Sequence, residues 1–160
     1  MFKQITYLFL VGALISCNTG FAPNEVEVLG RKITVDGSPY LIKGICYHPV
    51  AKGSELREFG SLTQDLTLMK EVGINTIRVY APIDDSTVLN EIHEAGIKLI
   101  IGFGYNQDGY FDILSGSFID YVKKYKDHPV ILLWELGNEY NYHPQWFDDD
   151  IKNWYKALNE

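Results

Sequence analysis

Four stretches of this chain end an apolar run with side chains that can do chemistry. They are Cys46-Tyr47-His48-Pro49, Arg78-Val79-Tyr80-Ala81-Pro82, Phe103-Gly104-Tyr105-Asn106 and Glu135-Leu136-Gly137-Asn138-Glu139-Tyr140-Asn141. A carboxyl group such as Glu139 can give or hold a proton. The Asn138 amide can donate and accept, the Arg78 guanidinium donates in a planar fork, and rings such as Tyr80, Tyr105 and His48 can stack or hydrogen-bond. Each also has an ordinary reading. Asn-Glu after an apolar strand is a common strand-to-loop boundary, His48 suits a plain rim position, and Arg78 suits a structural ion pair. What matters is whether the intervening elements bring the four ends to one place.

The elements that must position them alternate in type. Val26–Leu29 and Lys32–Val35 alternate apolar and polar residues around Gly30-Arg31, which predicts a hairpin. Asp36-Gly37 makes the next turn, and Tyr40–Tyr47 reads as a further strand. Ser61–Val72 has helical spacing at Leu62, Leu66 and Met69, with Ser61 or Thr63 as N-cap and Gly73 as stop. Asn75–Tyr80 reads as a strand, Asp84–Ala95 as a helix ended by Gly96, and Lys98–Phe103 as a strand. Ser115–Tyr125 reads as a helix and Val130–Leu136 as a strand. Asp148–Leu158 opens with aspartates that suit a helix N-terminus.

Apolar strands joined by helices make a parallel α/β protein, with βα units repeated four times. An open doubly wound sheet and the first four units of a (β/α)8 barrel both fit. Gly102-Phe103-Gly104 lacks the third glycine and the following helix of a dinucleotide loop, so the barrel is the expectation. In a barrel the chemistry sits at the C-terminal strand ends. Period-two alternation then puts Thr76, Arg78 and Tyr80 inward and Ile77 and Val79 outward toward helices. The same parity, carried on through the strand, puts Glu135 and Glu139 on one side, with Glu135 about 13 Å deeper. A deep carboxylate needs a partner. Arg78 is a candidate for either glutamate.

Composition narrows the class. The 160 residues are 46% hydrophobic and 14% aromatic, with a net charge of −7, which is globular and argues against nucleic-acid binding. Eleven tyrosines and three tryptophans offer flat faces suited to sugar rings and equally suited to a core. Met1 to Ile15 is one basic residue and a short apolar run, a secretory signal rather than a spanning helix. Leu14-Ile15-Ser16-Cys17 resembles the bacterial lipobox. That resemblance implies cleavage after Ser16, acylation of Cys17, a tether over residues 17–24 and an exported, membrane-anchored lipoprotein, with the bacterial outer membrane as the expected address because no aspartate follows the cysteine. Cys46 is then the one remaining cysteine, expected as a small buried hydrophobe. No two histidines have ligand spacing with a carboxylate, so neither a metal nor another cofactor is expected.

Trp134-Glu135-Leu136-Gly137-Asn138-Glu139 resembles the fourth-strand signature of clan A retaining glycoside hydrolases. His128-Pro129-Val130-Ile131 upstream is similar to the same strand of the family two β-galactosidase group. Tyr40–Tyr47 and Asn75–Ala81 are similar to family two and to the β-1,3-glucanosyltransferase and glucanase families. The likeness runs from about Gly30 to Trp146.

The resemblance implies a barrel and hydrolysis of β-linked glycans, of β-glucan type, by double displacement. Glu139 would be the acid/base and Asn138 would hold the sugar next to the cleaved bond. Arg78, Tyr80, His48 and Tyr105 would line the substrate site. Protonating the leaving oxygen requires Glu139 to be kept un-ionised by burial and by the second carboxylate, and Arg78 would keep that nucleophile charged. In the clan the nucleophile ends strand seven, so residues 25–160 are expected to be the N-terminal half of such a barrel, inactive by itself. Glucanosyl transfer and non-catalytic glycan binding stay open as alternatives. Gly102-Phe103-Gly104 lacks the acidic residue of the transferases.

Overall fold

A computed structural model describes residues 23–104, 111–139, 142–147, 150 and 152–159. Cys17 and Tyr105 lie outside the described residues. The first module is an antiparallel sheet of β1 (Val26–Leu29), β2 (Lys32–Val35) and β3 (Ser38–Tyr40). Leu29 faces Lys32 and Val35 faces Ser38, so both connections are two-residue turns. Asp36 and Gly37 both have positive φ, 51° and 73°, the backbone twist that matches flanking strands. The expected hairpin is present, with a third strand added.

That third strand corrects the sequence reading. Tyr40–Tyr47 does not run as one strand; it divides into β3 and β4 (Gly44–Cys46). The cause is one side chain. Asn75 Oδ1 accepts from the Lys43 amide at 2.8 Å and Asn75 Nδ2 donates to the Leu41 carbonyl at 2.8 Å. A clip of this kind satisfies backbone groups that a strand partner would otherwise take.

The second module is a four-stranded parallel sheet in the order β4, β5 (Thr76–Val79), β6 (Lys98–Phe103), β7 (Ile131–Leu136). Order in the sheet follows order in the chain and never reverses, so these strands contain no switch point of the doubly wound kind. The crossovers carry helices α1 (Leu62–Glu71), α2 (Ser86–Glu94) and α3 (Phe118–Tyr125). Leu62, Leu66 and Met69 of α1 are buried, as are Leu89 and Ile92 of α2 and Tyr121 and Tyr125 of α3. They form one core with Ile77, Val79, Leu99, Ile101 and Phe103. The alternation expected for strand two is therefore observed, with Ile77 and Val79 against the helices and Arg78 on the other face.

Helix limits follow local chemistry. Asp85 caps α2 by accepting from Thr87 N at 2.8 Å. The third helix begins at Phe118 rather than Ser115, because Gly116 has φ 74°, which a right-handed helix cannot include. The last helix, α4 (Lys152–Asn159), starts later than Asp148, after a 3-10 turn at Pro144–Phe147. Asp150 Oδ1 accepts the Lys152 amide at 2.9 Å. Asp148 and Asp149 lie outside the described residues.

The antiparallel module meets the N-terminal ends of the parallel strands. The Tyr40 hydroxyl donates to the Asn75 carbonyl at 2.8 Å and lies 3.0 Å from the Thr76 hydroxyl. Asn24 Nδ2 and Lys98 Nζ both donate to the Pro129 carbonyl, the latter at 2.7 Å. The opposite, C-terminal end is left to the loops.

Candidate active site

Arg78 organises that open end. It sits on β5 with its neighbours Ile77 and Val79 sealed beneath the helices, so its side chain leaves by the other face. Its Nε donates to Glu135 Oε2 at 2.5 Å and its Nη2 to Glu135 Oε1 at 2.6 Å, a two-pronged pair of the strong, planar kind. Nη2 also donates to Asn138 Oδ1 at 2.9 Å. The guanidinium lies 4.4 Å from the centre of the Tyr80 ring, within cation–π range. The Glu135 fork, more than any other contact, raises the Arg78 pKa further above its already high value.

The choice left open by the sequence is thereby decided. Arg78 pairs with Glu135, the deeper carboxylate, and does not stand unpaired awaiting a nucleophile. Asn138 and Tyr80 join the same cluster through their contacts with Arg78. His48 is exposed beside the buried Tyr47, whose hydroxyl donates to Asp65 Oδ2 at 2.7 Å. His48 is not among the side chains that contact Arg78 in the described residues.

Glu139 lies one residue past Asn138 at the rim and is exposed, so the burial expected around its carboxyl group is not seen among the described residues. Strand parity does not carry to it. β7 stops at Leu136, Gly137 has φ 110° and Glu139 has φ 47°, in the left-handed region. Its carbonyl accepts from the Tyr142 amide at 2.8 Å, closing a turn. A left-handed non-glycine residue costs energy and clusters at functional sites. The left-handed turn, rather than strand alternation, sets where its carboxylate points.

Cys46 was expected in the core and is instead exposed. β4 is an edge strand of the described sheet, and Cys46 pairs in register with Arg78, on the face that no helix among the described residues covers. Its sulfur lies 3.8 Å from Arg78 Nη1. A hydrogen bond with the Tyr80 hydroxyl, and then Arg78, pull its thiol pKa below the ordinary value. Register with Arg78 was the available signal, and it was missed because the surrounding run reads as apolar. Beyond the strand, His143 stacks on Trp146 with ring centres 4.0 Å apart and planes 13° apart. Elsewhere His128 contacts Asn90 and His93 edge-on, a packing role away from this rim.

A parallel α/β sheet with a polar cluster at its C-terminal strand ends is the arrangement in which α/β enzymes carry their sites. No family model matches the chain. It is 26% identical to a β-galactosidase of Alteromonas mediterranea over 89% of its own length and 14% of that protein. It superposes on the β-glucuronidase of Faecalibacterium prausnitzii with TM-score 0.61 and 19% identity, covering 84% of this chain and 25% of that one. With a GH2 β-galacturonidase of Eisenbergiella tayi, solved bound to galacturonate, the TM-score is 0.56 and the identity 21%, over 84% and 26%. The chain thus spans about a seventh of the curated β-galactosidase it matches. The chain is similar in sequence to a stretch of a β-galactosidase and in fold to parts of a β-glucuronidase and a β-galacturonidase.

Proposed function

We propose that this segment carries the acid/base side of a retaining β-glycosidase site, and that its parallel sheet is the first half of an eight-stranded barrel. The observation that carries the reading is the joining of Arg78, Glu135 and Asn138 next to Glu139, at the C-terminal end of the fourth sequential parallel strand. Glu139 would protonate the departing glycosidic oxygen and later activate water. A nucleophilic carboxylate about 5–5.5 Å from it completes a retaining mechanism. The resemblance assigns that group to strand seven, and the activity is proposed for the protein that supplies it. Tyr80, His48 and Tyr105 would face the sugar. The relatives are β-galactosidases and β-glucuronidases by name, so β-galactosides and β-glucuronides join β-glucans as first substrates to try.

The test is turnover of 4-nitrophenyl β-galactoside, β-glucuronide and β-glucoside, and of laminarin, by the complete protein. Glu139→Gln should lower kcat by about 10²–10⁴ where proton donation limits the rate, with azide or a phenol of low pKa as leaving group restoring part of it. Equal turnover by Glu139→Gln removes Glu139 from the mechanism. Product lengthening on laminarin would turn the reading toward transglycosylation. One observation favours a second reading, glycan binding without cleavage by these 160 residues alone: Glu135, the other carboxylate of the strand, is fully engaged by Arg78. Binding of oligosaccharide with no product supports it.

The address belongs to the same proposal. No helix among the described residues is long and apolar enough to cross a membrane, and attachment through an acylated Cys17 would hold the site at the membrane surface. Labelling with a palmitate analogue that disappears in Cys17→Ser is the expected result, and persistent labelling removes the anchor.

A further inference from the structure

Arg78 and Glu135 belong to strands that do not touch. β6 lies between them, and neighbouring strands are about 4.8 Å apart, so the pair must reach over whatever β6 presents. Arg78 pairs in register with Ile100 of β6, and two residues further on, in register with Glu135, β6 presents Gly102. A Cβ at residue 102 would stand 3.6 Å from Glu135 Oε2, 3.6 Å from the Tyr80 Cα and 3.2 Å from the Val79 carbonyl oxygen. Alanine there would touch the carboxylate, and a branched residue would displace it. The glycine is the low point of the floor across which the ion pair is laid.

The pair in turn dictates how Asn138 is oriented. A guanidinium has donors only, so the Asn138 atom facing Nη2 must be the amide oxygen, as observed at 2.9 Å. The planar amide then points its NH2 away from Arg78. The guanidinium cannot swing to release it, since two of its nitrogens are held by Glu135 and its face is placed over Tyr80.

We propose that Glu135 and Gly102 are positioning residues: they hold Arg78 across β6 so that Asn138 offers the cleft a hydrogen-bond donor. The group read at this point is therefore an acceptor, which for a glycoside is a ring hydroxyl used through its oxygen. The substrate half of this inference rests on the glycosidase reading; the orientation of Asn138 does not.

The experiment compares the complete protein with Glu135→Gln, Gly102→Ala and Gly102→Val on a 4-nitrophenyl β-glycoside and its 2-deoxy counterpart. Glu135→Gln keeps the shape but sets an NH2 against a donor-only guanidinium. Its preference for the 2-hydroxy over the 2-deoxy substrate should fall about tenfold, the scale of one hydrogen bond involving a charged or well-ordered group. Gly102→Val should behave alike and Gly102→Ala less so. Equal losses on both substrates overturn the positioning role. Turnover of neither substrate by the unsubstituted protein means the glycosidase reading has failed, and the decision then passes to the Asn138 side-chain amide signals in a ¹⁵N–¹H spectrum, assigned by their loss in Asn138→Asp. Signals that shift and sharpen less in Glu135→Gln support the arrangement whatever the reaction; signals that do not move overturn it.

Discussion

On the helix side of the parallel sheet, Ile77, Val79, Leu99 and Ile101 are all fully buried. On the other side the same strands carry Cys46, Arg78, Gly102 and Glu135, and every charged contact of the proposed site is made there. Two faces of one backbone thus follow different rules. The covered face gains its energy from area removed from water, and a change there opens a cavity. The open face gains little from burial and spends its residues on geometry: a fork, an oriented amide and a glycine that leaves room. One face holds the shape while the other uses it.

The contrast breaks most readily where burial is deepest. Ile77→Ala and Leu99→Ala should each cost about 2–5 kcal/mol in urea unfolding, the range for large-to-small changes in a core. Glu135→Ala should cost less, about 1–2 kcal/mol, since the Arg78 and Glu135 side chains keep 21% and 29% of their surface exposed and the freed guanidinium can turn to water. If the open-face change costs as much stability as the covered-face ones, the division of labour fails. Tyr121→Phe sharpens the covered side. It removes the hydroxyl that donates to the Ile83 carbonyl at 2.8 Å inside the core, and should cost about 1 kcal/mol.

The covered face was the more legible of the two in the sequence. Lys98–Phe103 is seen with the limits that its unbroken apolar run predicts, and the two-residue Gly30-Arg31 turn set the β1–β2 register. Such features are local and periodic. What escaped were single residues acting across the chain. Asn75 divides an apparently continuous strand by bonding Leu41 and Lys43, and Gly116 delays a helix whose serines looked like its start. The site divides in the same way. Parity placed Arg78 and Tyr80 on the open face, and family resemblance pointed to Asn138 and Glu139. The partner of Arg78 could not be read, because reaching Glu135 depends on a side chain that residue 102 lacks. Nor could the orientation of Glu139, since alternation ends at Gly137 and a left-handed residue follows.

The smallest expected effect concerns pH, and it separates the faces by where protons are taken up. Arg78 keeps its charge throughout, its pKa raised by Glu135, so the guanidinium itself adds no pH slope near neutrality. His128 and His93 lie elsewhere, in a T-shaped contact, with His128 hydrogen-bonded to Asn90 and accepting from the Val130 amide. Burial lowers both imidazole pKa values below the ordinary 6.5, with the neighbouring His93 adding to the shift at His128. A lowered folded pKa means the unfolded chain binds protons first as pH falls, so stability is level above about 6.5 and declines below it until the folded rings protonate. Urea midpoints from pH 7.5 to 5.5, above the ordinary carboxylate range, should therefore fall, and His128→Asn should flatten the fall. A slope left intact by that substitution would place the proton uptake away from His128 and overturn the comparison.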